Sequence, residues 1–183
     1  MAGTLAAIAF CGCTTVRPTV FPDVVVPSSP ANDEEKVIAE AIRRAVVDQK
    51  DIPGYSNLAD TDTIIVKCEF GHGAGKRGFA AGALPHTDDV HFRLMTLTDI
   101  DRLRKIYGRI HYLMVEDLEI SGDVATIDIQ LASVSWYPAT ESSTWLDGAP
   151  GMFASAGYIL QFRRQGDTWR PCNESNISIH YIN

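Results

Sequence analysis

The chain has 183 residues, 45% of them hydrophobic and 21% charged, which is enough apolar material for one core and too little length for two ordinary domains. That balance excludes wholesale disorder and a bundle of membrane-spanning helices. Lys and Arg total 16 against 23 Asp and Glu, a formal net charge of -7, and with no basic run a general affinity for nucleic acid phosphates is excluded.

Met1 to Cys13 (MAGTLAAIAFCGC) carries no charged side chain. Its apolar stretch is too short to span a bilayer but has the length of a signal-peptide core. The Gly12-Cys13 pair that closes it resembles a bacterial lipobox. The resemblance implies export, lipid attachment at Cys13, and a place in the bacterial cell envelope, with a secreted product as the alternative. Residues 14–31 hold Pro18, Pro22, Pro27 and Pro30. Proline fixes φ and gives no N–H, so this segment is expected to be an extended tether; the competing expectation is an ordered arm, with Phe21 and Val24 to Val26 as an edge strand. Residues 32–183 then form a single domain. Of its two cysteines, Cys68 and Cys172, the sequence leaves open whether they pair.

The domain opens with a helix capped by Asn32 or Asp33. Val37, Ile38, Ala41 and Ala45 recur at helical spacing, and the helix ends before Ile52-Pro53-Gly54. A strand follows over Thr63 to Phe70, then a glycine-rich loop over Gly71 to Pro85, a short strand over His91 to Met95, and a second helix over Thr98 to Tyr107 started by Thr98 and Asp101. Ile110 to Ile120 and Val124 to Trp136 form a long hairpin. On the return strand Val124, Thr126, Asp128, Gln130 and Ala132 share one face, with Ala125, Ile127, Ile129 and Leu131 on the other. Ala156 to Arg164, Thr168 to Cys172 and an edge strand through Ile177, Ile179 and Tyr181 complete the pattern. The fold class expected is α+β, a curved antiparallel β-sheet with one or two helices packed on one face.

The stretch GDVATIDIQL followed by GYILQFRRQGDTWR resembles the end of a cystatin-like or NTF2-like cone. The wider span Leu84 to Arg170, with FRLMTLTDIDRL and HYLMVEDLEISGDVATIDIQLASVSW, resembles a recurrent uncharacterised bacterial lipoprotein domain. That family brings no activity to carry over. Its last block begins with a run of glycines, of which Ser155-Ala156-Gly157 keeps one.

Gly71-His72-Gly73-Ala74-Gly75-Lys76-Arg77 lacks the spacing and the hydroxyl of a phosphate loop. His86, Asp88 and His91, with His72 nearby, are candidates for a metal site, as imidazoles and carboxylates are competent ligands. Glu116, Asp117, Glu119 and Asp128 are candidates for acid–base work in a cone pocket. Tyr137 and Trp145, on the long loop between the hairpin and the third strand, are candidate anchors for a ligand or partner. Together these features predict an envelope-tethered, non-enzymatic domain that binds an envelope protein or a small ligand, with no cofactor. The alternative is an enzyme built on His86, Asp88 and His91 or on the sheet carboxylates.

Overall fold

The computed structural model describes residues 22–47, 62–71, 75–135, 153–172 and 176–181. The first helix, α1 (Asp33–Ile42), starts at Asn32, whose side chain accepts from the Glu35 N–H, and runs on into one π-helical turn over Arg43–Val47. The expected strand over 63–70 is two, β1 (Thr63–Lys67) and β2 (Glu69–Phe70), broken at Cys68. The glycine-rich loop is more regular than its composition predicts: it holds β3 (Arg77–Gly78), which pairs antiparallel with β2, and one 3-10 turn over Ala81–Ala83. Then come β4 (His91–Met95), α2 (Leu97–Tyr107), β5 (Arg109–Ser121), β6 (Val124–Ser135), β7 (Phe153–Gln165), β8 (Thr168–Pro171) and β9 (Asn176–Tyr181).

The fold is α+β: a strongly curled, antiparallel-rich half-barrel with two helices packed against it. The strands lie in the order β4-β1-β5-β6-β7-β8, and β9 shares the outer edge of β7 with β8. Antiparallel pairing runs from β5 to β9, as the alternation along these strands predicts. The opposite flank differs: β1 pairs parallel with both β4 and β5. Here β4, α2 and β5 make a strand–helix–strand crossover, and the crossover leaves a gap that β1 fills. A short strand with no hairpin partner carries no orientation in its sequence, so this pairing comes from the tertiary fold.

The two faces of the sheet have separate cores. The main one joins Val37, Ile38, Ala41 and Ile42 of α1 to Ile64, Val66, Leu113, Val115, Ile127, Ile129, Leu160 and Phe162. Alternation then gives the other face Tyr112, Met114, Ala132 and Val134, which α2 covers with Ile100 and Leu103. The helical layer expected over one face is thus that of α1, and α2 takes the opposite one. α2 begins at Leu97, one residue before its predicted start, and its cap lies two residues before the predicted one: Thr96 caps it, its Oγ1 accepting from the Asp99 N–H at 3.2 Å. β4 stays in register with β1 as far as Met95, so Thr96 is the first residue able to cap.

Residues 22–31, the last ten of the tether expected over 14–31, are mostly exposed but are tied to the domain at several points. Val25 N–H donates to the Phe92 carbonyl at 2.8 Å and Ser28 N–H to that of Ala81 at 3.2 Å, while Arg93 reaches the carbonyl of Pro22. Val25, the middle of three valines, packs against the main core, and Val24 and Val26 face solvent.

The acidic start of α1 does more than complement the helix dipole. Asp33 pairs with Arg164, which stacks 4.9 Å over the ring of Trp169, and Trp169 Nε1–H donates to Asp33 at 3.3 Å. Glu34 pairs with Arg77. Glu35 accepts from the Ala31 N–H at 2.7 Å. Three successive carboxylates thereby tie one helix end to β7 and β8, to β3 and to the arm.

Candidate functional site

The two cations of the glycine-rich loop are already engaged. Lys76 holds Glu69 at 2.6 Å, while Arg77 joins Glu34, the Leu118 carbonyl at 3.0 Å and the face of Phe70. His86 and Asp88 stand exposed on the approach to β4, and His91 is its exposed first residue. Among the described residues no group of three His, Cys, Asp or Glu is placed to hold a metal ion. His72, Tyr137, Trp145 and Cys13 lie outside the described residues. Cys68 and Cys172 are free thiols, both half-buried, and burial pushes the Cys68 thiol up.

The sheet carboxylates do come together. The face that α2 covers is apolar at the Ile110–Val134 end and turns polar beyond Met114. Along the β5–β6 ribbon Met114 stands opposite Gln130, Asp117 opposite Asp128 and Glu119 opposite Thr126, with a bulge that adds Glu116. The bulge carbonyl is satisfied, because Glu116 C=O accepts from the Gly71 N–H at 3.2 Å. Opposite residues of an antiparallel pair share a face, so Asp117 and Asp128 are a like-charge pair that would oppose strand pairing if left alone. Each has an answer. Asp117 accepts from the Leu118 N–H at 2.9 Å, and both Asp128 oxygens lie 3.2 Å from the Gln130 amide nitrogen.

Gln130 is only 3% exposed, one of two buried polar side chains recorded among the described residues. Its burial follows from the strand beside it. Gly157 of β7 stands opposite Gln130, and a Cβ there would run into the Ile129 carbonyl oxygen and sit 2.6 Å from the Gln130 Cα. Only glycine lets β7 approach so closely, which gives the single glycine of Ser155-Ala156-Gly157 a backbone role.

Lys67 closes the site from β1, two residues beyond Ile65 on the α2 face. Burial pulls its ammonium below the usual lysine range, against the opposing charges of Glu116 and Glu69. Tyr112 is buried, and desolvation with the Glu116 charge pushes its phenol up to about 12, so it keeps its proton at any physiological pH. The result is a half-buried amine, a retained phenolic proton, a buried amide and two carboxylates at the carboxyl end of the parallel strands, where open sheets with crossovers commonly seat ligands. Such a set can grip a molecule that has both donors and acceptors. Sequence reading placed Asp128 and Glu116 among the candidates but missed Lys67, Tyr112 and Gln130. The alternation put Gln130 on the right face and could not show its burial.

Comparisons with known proteins gave no matching family model, no significantly similar curated protein and no significantly similar solved structure. Among the described residues no helix is long and apolar enough to cross a membrane.

Proposed function

We propose that this is an envelope-tethered binding domain that holds a small polar ligand, or a polar segment of an envelope protein, on the sheet face beyond α2. The observation that carries the reading is the burial of Gln130 beside Asp128. Charges placed only for solubility would stand in water, whereas burying polar groups costs free energy that a pre-formed site justifies. Lys67 and Glu116 supply the charged contacts and Tyr112 a neutral donor. Tyr137 and Trp145, on the segment between β6 and β7, are in this reading the aromatic anchors for the same ligand or partner.

The test is a thermal-shift screen of polar small molecules against wild type, Lys67→Met and Arg102→Ala. Compounds that raise the melting temperature of wild type and Arg102→Ala but not of Lys67→Met support the seat. Equal shifts in all three would place binding elsewhere. Attachment is a separate part of the proposal and rests on the apolar leader and Gly12-Cys13. Incorporation of a fatty-acid analogue in a bacterial host should be lost in Cys13→Ala, and equal labelling of both chains would remove the anchor from the proposal.

A further inference from the structure

Among the described strands β4 lies at one end of the sheet, and its hydrogen-bonding groups alternate between a partner strand and the outside. His91 N–H donates to Asp62 and the Met95 carbonyl accepts from Cys68, both toward β1. The same groups of Phe92, and by alternation those of Val90 and Leu94, therefore face outward. Among the described residues the outer edge carries one isolated bridge, Val25 to Phe92, antiparallel. Continued in this register, Pro27 would stand opposite Val90, where it has no N–H to give. Among the described residues the arm thus pairs at one of three outward-facing positions on this edge.

We propose that the outer edge of β4 is a docking site for an extended peptide strand of a partner protein, and that residues 22–31 are a strap which holds the edge until such a strand displaces it. The strap itself shows what the partner must offer. It needs an N–H opposite the Phe92 carbonyl and a β-branched side chain in the place of Val25, which packs against the main core beside Val90 and Leu94. A strand with N–H groups opposite Val90, Phe92 and Leu94 would make the two pairs that the strap lacks, the mode by which extended peptides add to open sheets. This surface is separate from the polar seat and does not depend on it.

The probe is a fluorescent peptide of residues 22–31 carrying Pro22→Thr, Pro27→Thr and Pro30→Thr, titrated by anisotropy into full-length wild type and Val25→Asp. The expected result is saturable binding at least tenfold tighter to Val25→Asp, whose strap is unlatched. Methylation of the peptide nitrogen at its Val25 position should abolish binding. Val25→Gly replaces Val25→Asp if circular dichroism shows that the charge harms the fold. Equal affinity for the methylated peptide, or no saturable binding to a folded unlatched variant, would overturn the proposal. So would a wild-type dimer in gel filtration that Val25→Asp dissolves, since the edge would then belong to a second copy of this chain.

Discussion

Gly157 is the residue on which the polar face depends most directly. Replacing it with Ala drives a methyl group into the backbone of β6, and overpacking of this kind costs about 1–3 kcal/mol. The expected outcome for Gly157→Ala is a melting temperature lower by several degrees, at about 2–4 °C per kcal/mol for a chain of this size, together with faster exchange of the Gln130 amide. His111 makes a second prediction. Its Nδ1 is buried without a hydrogen-bond partner among the described residues. Burial first, then the Arg109 charge, holds its pKa below the ordinary histidine value of 6.5. The folded protein therefore keeps His111 neutral where the unfolded chain takes up a proton. The stability it contributes is present above about pH 6.5 and is lost as pH falls through the lower folded pKa. Melting temperatures taken from pH 7 to 5 should fall more steeply in wild type than in His111→Gln, and parallel curves would show that the imidazole does not titrate in this range.

At the level of elements, α1 is held by its first turn as much as by its apolar stripe. Trp169, 5% exposed, packs into the main core and donates to Asp33. Trp169→Ala should cost about 3–5 kcal/mol, the range for large aromatic truncations in a core, as read from the denaturation midpoint. The hydrogen bond from Trp169 leads the causes that lower the Asp33 pKa, and Arg164 and Lys36 act in the same direction. The stability due to Asp33 is accordingly present above its unfolded pKa and lost as the medium becomes more acid. Asp33→Asn should flatten the melting-temperature curve between pH 5 and 3. These links also show which parts of the fold were legible. β5, β6 and β7 could be read from period-two alternation because each is long and has one buried face. The start of α2 could not, because Thr96 with Asp99 and Thr98 with Asp101 are overlapping versions of one capping pattern, and the register of β4 against β1 chooses between them. Lys67 looked like any strand residue for the same reason: its half-burial exists only because β1 lies between β4 and β5. The acidic turn of α1 was legible as a helix start, but its partners Arg164 and Arg77 lie 131 and 43 residues away.

For the whole molecule, the structure predicts that the arm contributes to stability. A chain beginning at Asn32 loses the Val25 and Ser28 backbone hydrogen bonds and the packing of Val25. At about 0.5–1.5 kcal/mol for each hydrogen bond, the denaturation midpoint should drop measurably. The insertion of β1 between β4 and β5 also bears on the order in which the molecule assembles. The β5–β6–β7 meander needs only contacts between successive strands, whereas the β1–β5 pairing also needs the crossover through α2 that carries β5 past β4 and β1. Long loop closures are slow to form and local hairpins are fast. During refolding, amides of Ile127 and Ile129 should gain protection from hydrogen exchange before those of Ile64 and Val66. In that interval the newly made sheet ends at β5, with its Leu113 edge open to water. The exposed edge of β5 is then where a chaperone, or a neighbouring copy, would first find the protein.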